Sequence, residues 1–221
     1  MKKNEIFRDT KNWYLNIEKY ASPQLIDFAV LYAGNKILDL GCATGDYSNN
    51  LKSIGYECTG VDINPKYVEK TRGKGIDAYV MKGDDLNFSD NSFDTVLLFE
   101  VLEHVDNPHN VLKEAKRVAK KNILITVPNC TQFSELKASG LTYEHMLERD
   151  HINFFTKNDL EKLISRESKN FKVEEDEATE LHSLLSVSGL PIWLILPILL
   201  FNKIKIIKSS LYHRLYAVVE V

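Results

Sequence analysis

Cysteine is scarce in this chain of 221 residues, which contains only Cys42, Cys58 and Cys130. An odd number with no C-x-x-C pair argues against a disulfide framework, a zinc ribbon and a thioredoxin-like redox site. We therefore expect buried thiols in a reducing compartment, with no disulfide and no metal site. Residues 1–14 carry charges throughout and lack the apolar core of a signal peptide, so we expect a cytoplasmic protein.

The chain also lacks a strong net charge, which is −3 with an isoelectric point near 6.1. Nucleic-acid binding depends on lysine and arginine that neutralise phosphates, so no nucleic-acid partner is expected. An uninterrupted apolar run of ~20 residues, the length that a membrane span needs, is missing as well. With 44% hydrophobic residues, residues 1–221 can instead bury the core of a single domain.

The glycine-containing stretch KILDLGCATGDY at residues 36–47 lacks one glycine of a dinucleotide-binding loop. A short apolar run precedes Gly41 and Gly45 and a helical pattern follows, which predicts a strand, a tight turn and a helix. Glycine lets the backbone turn sharply and come close to a ligand. Ala43 stands where a dinucleotide-binding loop has the glycine that admits a pyrophosphate. We therefore expect a ligand without a pyrophosphate, although this loop alone leaves an ordinary strand–helix turn open.

Acidic residues follow three more apolar runs, where further strands would end. They are Asp62, the pair Asp84 and Asp85, and Glu100. In a parallel α/β sheet the carboxyl ends of the strands meet at one edge, and ligands bind there. These acids would give that edge a negative potential, which attracts a cationic ligand and repels phosphate. For any single acid, a solvated loop or a helix cap is the alternative.

Four segments in this order resemble the class I S-adenosylmethionine-dependent methyltransferases: DLGCATG at 39–45, VD at 61–62, GDD at 83–85, and FD at 93–94 followed by EVLEH at 100–104. The resemblance is dense from residue 37 to 129 and weaker to about 164. It implies S-adenosylmethionine as the cofactor, with Asp62 on the ribose hydroxyls and Asp84 on the adenine amine. The cofactor-binding residues that it implies are Asp39, Gly41, Cys42, Ala43, Gly45, Asp62, Ile63, Asp84, Asp85, Phe99 and Glu100.

The same resemblance implies an α/β fold, a Rossmann-like and mostly parallel sheet of seven strands in the order 3-2-1-4-5-7-6, with helices on both faces. Residue patterns predict strands near 36–40, 57–62, 78–81, 94–99, 122–127, 171–179 and 215–221. Helices are predicted at 23–32, 46–54 and 65–72, and after Val101, Asn107 and Thr156. Residues 1–33 would form an N-terminal helical cap, and 182–210 an apolar insertion between the last two strands.

The activity implied by the resemblance is methyl transfer to a small-molecule or lipid-like acceptor, with oxygen as the expected target atom. A hydroxyl acceptor needs a base that titrates near neutrality, which imidazole does. His151 is the candidate, because residues 150–156 resemble a stretch near the acceptor in enzymes that methylate quinone precursors and sugar hydroxyls. The alternative is that His151 orders its loop through backbone hydrogen bonds. His104 and His145 are weaker candidates.

Two other functions are compatible with the predicted sheet. A nicotinamide-dependent oxidoreductase is disfavoured by the missing phosphate loop and by the EVLEH continuation at 100–104. A protein that binds S-adenosylmethionine or S-adenosylhomocysteine without catalysis would have the same cofactor half. The sequence does not separate that protein from an enzyme.

The segment between the last two strands is unusually apolar. No charged residue occurs between Ser183 and Asn202, and LPIWLILPILLF at 190–201 has no polar side chain. Residues 203–208 are basic and apolar, as in segments that lie on anionic membrane surfaces. In one interpretation, residues 187–208 contact the membrane peripherally and the acceptor is lipid-linked. The other makes the segment a helical lid or a homodimer contact that buries its leucines.

Overall fold

The computed structural model describes Leu15 and residues 21–130, 150–178 and 212–221. Its strands β1 to β7 span, in order, Lys36–Leu40, Glu57–Asp62, Asp77–Val80, Phe93–Phe99, Ala119–Pro128, Phe171–Ala178 and Tyr212–Glu220. Its helices α1 to α5 span Pro23–Tyr32, Asp46–Ser53, Pro65–Gly73, Pro108–Val118 and Lys157–Ile164. The strands form a sheet in the order β3-β2-β1-β4-β5-β7-β6, which confirms the predicted order.

The first five strands are parallel to one another. β1 pairs with β2 and β4, β2 with β3, and β4 with β5. Central parallel strands are covered on both faces and therefore read as continuous apolar runs. Residues 95–99 of β4 and 123–128 of β5 are accordingly buried without interruption. Because the strands are parallel, the carboxyl ends of β1 to β4 lie side by side at one edge of the sheet.

β7 is the exception to the parallel arrangement, because it runs antiparallel between β5 and β6. Leu124 of β5 pairs with Val218, and Val173 of β6 pairs with Ala217. The reversed direction brings the start of β7 to the end of β5, where Arg214 lies opposite Pro128. Arg214 therefore reaches the edge at which the other strands end.

The sheet separates two apolar clusters, and helices cover both of its faces as predicted. One cluster includes Val111, Leu112 and Ala115 of α4 with Leu160 and Ile164 of α5. The other includes Leu25 and Ala29 of α1 and Leu51 of α2. Every one of these side chains is at most 3% exposed. The alternation of apolar and polar positions along each helix thus selects the face that packs on the sheet.

Helix starts follow local rules that the sequence displays. Proline stands in the first turn of α1, α3 and α4, where its missing N–H costs no hydrogen bond. The side chains of Asn64 and Asn107 accept hydrogen bonds from the first turns of α3 and α4. Thr156 and Asp159 form a reciprocal capping box at α5.

The short helix predicted after Val101 is wrong, because residues 101–106 form turns instead. The Asn153 amide donates to the carbonyl oxygens of Leu102 and Val105, at 2.9 and 2.7 Å. In a helix the Leu102 carbonyl would accept the N–H of the residue four positions later. Here the Asn153 side chain, far along the chain, donates to that carbonyl instead.

Several predictions on domain layout lie outside the described residues. The apolar insertion at 182–210 is one of them, and most of the N-terminal cap at 1–33 is another, with α1 as its described part. His145 also lies outside. In the described part of the chain, none of the helices combines the length and apolar character that crossing a membrane requires.

Candidate active site

The loop after β1 is held against the neighbouring strand by its own backbone. The N–H groups of Gly41 and Cys42 both donate to the carbonyl oxygen of Val61, at 2.7 and 2.9 Å. Gly45 closes the turn by donating to Cys42 at 2.8 Å. Gly41, Ala43 and Gly45 have φ values of 81°, 44° and 74°, a left-handed conformation that favours glycine. Left-handed residues this close together give the tight turn that the glycine pattern predicts.

Two of these positions have no room for a side chain. A Cβ on Gly41 would come within 2.5 Å of Val101 Cγ2, and one on Gly45 within 2.6 Å of Thr71 Cγ2. Real Cβ contacts of this length essentially do not occur, so a substitution would displace Val101 or Thr71. The glycines thus let the loop lie against the turn after β4 and against α3.

Asp62, at the end of β2, is oriented by two backbone donors. Its Oδ2 accepts from the Ala43 N–H at 2.9 Å and its Oδ1 accepts from the Asn64 N–H at 2.8 Å. Burial raises the pKa of the Asp62 carboxyl, and the backbone donors oppose that rise. Since an ionised carboxylate offers about four lone-pair sites, further sites remain for a ligand. The carboxylate is fixed in direction and suits a vicinal diol.

Asp39 takes a different place from the one its motif suggests. Its side chain is 2% exposed and accepts from Ser48 Oγ at 2.6 Å. Burial raises the pKa of the Asp39 carboxyl from 3.8 to about 6. Asp39 therefore ties the loop to α2 from below, and its role in cofactor binding stays a prediction.

The predicted cofactor residues at the ends of the other strands differ in exposure. Asp84 and Asp85 are exposed, and Ile63 is exposed to 66% although it is apolar. Phe99 is buried and meets the ring of Tyr47 edge to face, with the centroids 5.5 Å apart. Cys42 is buried as well, and its burial raises the pKa of the thiol. An exposed apolar side chain beside Asp62 is the kind of surface that an adenine ring covers.

Glu100 lies at the same edge, but its carboxylate faces β7. Arg214 Nε donates to Glu100 Oε1 at 3.0 Å, and the Arg214 guanidinium also pairs with Glu177, which accepts from the Tyr216 hydroxyl. Glu100 and Glu177 both have left-handed φ values, 55° and 59°. Strained backbone of this kind persists only where the surroundings hold it, and it is frequent at functional sites. Arg214 cannot be recognised from the sequence, because its partner Glu100 follows β4 and its partner Glu177 lies on β6.

His151 lies next to the turns that follow β4. Its ring meets the ring of His104 with the centroids 4.6 Å apart. The N–H groups of Ile152 and Asn153 both donate to the carbonyl oxygen of Glu103, at 2.9 and 3.0 Å. The segment that carries His151 is thus attached to the segment that carries His104. The sequence identifies both histidines as candidates but gives no signal that they meet.

The structure therefore brings the loop, Asp62, Asp84 and Glu100 to one edge of the sheet. These groups fit a cationic, phosphate-free ligand with a diol, because carboxylates and an exposed apolar side chain surround a loop without room for bulk. The side chains of Asp39 and Cys42 are buried under the loop backbone. The whole is a Rossmann-like domain that gathers these groups at the edge where its parallel strands end.

A family model described as "Methyltransferase domain" matches residues 14–175, more than half of the chain. The chain belongs to this family of methyltransferase domains. Among solved structures, an S-adenosylmethionine-dependent methyltransferase from Archaeoglobus fulgidus superposes with a TM-score of 0.67 at 20% identity, covering 90% of this chain and 91% of that chain. A likeness at this identity shows the fold.

The curated relatives are similar over part of their length. An uncharacterised protein of Methanocaldococcus jannaschii is 37% identical over 86 residues, which is 38% of this chain and 39% of that protein. The ubiquinone biosynthesis O-methyltransferase of Xanthomonas oryzae is 33% identical over 95 residues, 40% of either chain. The chain thus spans about two-fifths of the length of these relatives.

Proposed function

We propose that this chain transfers a methyl group from S-adenosylmethionine to an oxygen atom of a small-molecule or lipid-like acceptor. The observation that carries the proposal is Asp62, whose carboxylate is aimed by the N–H groups of Ala43 and Asn64 beside the tight loop. S-adenosylmethionine supplies the methyl group on a positively charged sulfur. The residues of the chain bind and orient the reactants, since methyl transfer needs no covalent enzyme intermediate.

Four of the predicted cofactor residues lie at the ends of neighbouring strands. Asp62 accepts hydrogen bonds from the ribose hydroxyls, and Asp84 accepts from the adenine amine. Ile63 covers the adenine ring with an apolar surface that is exposed to 66% without a ligand. Glu100 lies at the same edge, where its carboxylate stays paired with Arg214.

His151 is proposed as the group that takes the acceptor's proton. Imidazole titrates near neutrality, so it can receive a proton from a hydroxyl during attack on the methyl group. The backbone bonds from 152 and 153 to Glu103 hold its segment beside the turns after β4. The alternative, a histidine that only orders this loop, predicts that its removal changes stability more than turnover.

The names of two relatives support a small-molecule acceptor. One is the O-methyltransferase of ubiquinone biosynthesis, and another is the demethylmenaquinone methyltransferase of Tropheryma whipplei, 34% identical over 93 residues. Both names refer to quinones, which are apolar molecules. An apolar acceptor agrees with the uncharged segment at 183–202.

Calorimetric titration with S-adenosylmethionine, S-adenosylhomocysteine and NADH tests the proposal. We expect both sulfur ligands to bind and NADH to bind at least tenfold more weakly, because its pyrophosphate meets carboxylates and no phosphate loop. A preference for NADH would overturn the proposal. Binding of the sulfur ligands without turnover of any quinol or catechol would favour the non-catalytic alternative.

Replacing Asp62 tests the observation that carries the proposal. Asp62→Ala should weaken S-adenosylmethionine binding by about 1.5–3 kcal/mol, the range for hydrogen bonds to a charged acceptor. Glu57→Ala, at the opposite end of the same strand, is the matched control and should bind normally. Equal affinities in the two folded variants would make Asp62 a structural residue.

A further inference from the structure

Three metal-ligating side chains converge beside the proposed acceptor site. Glu103, His104 and His151 place one ligand atom each so that these atoms lie within 4.8 Å of one another. Two of them come from the turns after β4 and the third comes from a segment much later in the chain. The arrangement provides two imidazole nitrogens and one carboxylate oxygen around a common point.

The two segments are fixed to each other before any ligand binds. Four hydrogen bonds join residues 152 and 153 to the carbonyl oxygens of Leu102, Glu103 and Val105, at distances between 2.7 and 3.0 Å. Further along the same segment, the Cys130 N–H donates to the Phe155 carbonyl at 2.8 Å. A metal site needs ligands that are positioned by such supporting bonds.

The tautomer of His104 is set by a second residue. His104 Nδ1 lies 3.1 Å from the Asp150 carbonyl oxygen, which can only accept, so Nδ1 carries the proton. In the neutral imidazole the lone pair is then on Nε2, which lies 4.0 Å from Glu103 Oε1. Histidine ligands of metals are commonly oriented in this way, with one nitrogen donating to a carbonyl and the other facing the ion.

Burial differs across the cluster in a way that suits an open coordination site. Glu103 is 1% exposed, whereas the side chain of His104 is 29% exposed. Burying a carboxylate is costly, and a cation beside it offsets that cost. The carboxylate is thus on the buried side of the cluster, and the His104 imidazole is on the side that solvent reaches.

We propose that Glu103, His104 and His151 form a binding site for one divalent first-row transition-metal ion, such as Mn²⁺, Fe²⁺, Co²⁺ or Zn²⁺. Two imidazoles and one carboxylate are a donor set that these ions favour over Mg²⁺ and Ca²⁺, which prefer oxygen alone. With bonds of about 2.0–2.2 Å, ligand atoms stand roughly 3–4 Å apart. The ligand atoms of the cluster, which lie within 4.8 Å of one another, need to approach only slightly to reach that separation.

The role of the ion rests on the proposed methyl transfer. An acceptor hydroxyl that binds the ion loses its proton to solvent more readily, because a metal lowers the pKa of a bound oxygen. The oxygen then forms its bond to the methyl carbon while the carbon–sulfur bond breaks, and that electron pair returns to sulfur. In this arrangement His151 is a ligand and the ion provides the acidity. Without an ion, His151 itself receives the proton.

Metal titration of the chelator-treated full chain tests the site directly. We expect saturable binding of one Zn²⁺ or Mn²⁺ per chain, and visible absorption bands with Co²⁺ that report imidazole coordination. Glu103→Gln and His151→Asn should each weaken binding at least 10- to 100-fold. Circular dichroism of each variant verifies that it is folded.

His109→Asn is the matched control, because His109 is a partly exposed histidine that pairs with Glu167 at 2.8 Å and is not one of the three clustered ligands. Its metal affinity should equal that of the unchanged chain. The inference is wrong if no ion binds, or if Glu103→Gln and His151→Asn both bind metal as the unchanged chain does. If Glu103→Gln fails to fold, the metal affinities of His151→Asn and His109→Asn still decide whether the site exists.

A second readout separates this inference from the proposed function. If chelation leaves S-adenosylmethionine binding intact and slows methyl transfer, both hold. If turnover is the same with and without chelator and metal, the ion has no role and His151 keeps the proton-accepting role. If neither the metal-loaded nor the chelator-treated protein binds S-adenosylmethionine, the proposed function is wrong, whatever the result of the metal titration.

Discussion

Burial of Asp39 gives the loop after β1 a dependence on pH. The carboxyl group has a folded-state pKa of about 6, against 3.8 for the ordinary group. The folded state therefore binds the proton more tightly than the unfolded state does. Folding stability is highest below pH 3.8 as far as this group is concerned, and it falls as the pH rises to about 6.

Asp39→Asn should remove this pH dependence. Between about pH 4 and 7 the unchanged chain should lose about 2–3 kcal/mol that the variant does not lose, since each pKa unit corresponds to about 1.36 kcal/mol. Urea unfolding at several pH values measures the difference. Asp77→Asn, which removes an exposed carboxyl from β3, controls for the loss of one charge. Parallel curves for Asp39→Asn and the unchanged chain would contradict the assignment.

Gly41 combines a left-handed backbone with a close neighbour, and the two effects can be separated. Gly41→Ala should cost about 1–2 kcal/mol for the left-handed conformation and about 1–3 kcal/mol more for the contact with Val101. Gly55 has a φ of 106°, and a Cβ added there would meet nothing within 4 Å, so Gly55→Ala should show the backbone cost alone. Urea unfolding gives both values.

The same pair of variants tests where the loop acts. Gly41→Ala should also weaken S-adenosylmethionine binding, because the loop cannot keep its path along Val61. Gly55→Ala should bind normally. Normal binding by a folded Gly41→Ala would mean that the loop does not approach the cofactor.

At the scale of elements, α5 fixes the end of the segment that carries His151. Thr156→Ala removes one half of the capping box and should cost about 1 kcal/mol of unfolding free energy. Because the cap lies beyond Phe155, cofactor affinity should stay unchanged while turnover falls slightly. Ser165→Ala, at the other end of α5, is the control. A large loss of S-adenosylmethionine binding in Thr156→Ala would show that α5 supports the cofactor site.

Elements are predictable where local rules decide them. Helix starts at Pro23, Pro65 and Pro108 follow from proline and capping residues, and apolar runs mark the central strands. A helix over 46–54 would place Ile54 on its inner face, but Ile54 is 57% exposed, because the helix ends at Ser53. β7 begins at Tyr212, earlier than its apolar run, because β5 and β6 provide partners there.

At the scale of the whole molecule, the strand order follows from the family resemblance, since residue patterns contain no pairing information. The glycine loop and Asp62 are recognisable because their chemistry is local. The sequence does not reveal that Arg214 pairs with Glu100 or that His151 meets His104. The members of each pair lie far apart in the chain and meet only in the folded protein.

Membrane contact through 187–208 stays a prediction, because this segment lies outside the described residues. Sedimentation with anionic liposomes should bring down the unchanged chain, and Asp at both Trp193 and Leu196 should abolish this. The reason is that apolar side chains and the basic residues at 203–208 act together at such surfaces. The control places Asp at Leu31 and Ile54, which are exposed to 71% and 57%.

Two results would redirect this prediction. If the unchanged chain stays in the supernatant while the variant is folded and active, the segment is ordinary surface. If the variant aggregates or unfolds, the segment is part of a core or of a homodimer contact. Sedimentation equilibrium of the unchanged chain distinguishes those two cases.

The position of β7 affects how the chain folds during its synthesis. β6 pairs only with β7 among the described strands, so it has no hydrogen-bonding neighbour until residues 212–220 leave the ribosome. The five parallel strands can assemble earlier, as their partners are all made by residue 128. At about 5–20 residues per second, β5 then waits several seconds with its β7-facing side uncovered. Nascent chains that are stalled before β7 is made should therefore recruit chaperones to the uncovered β5.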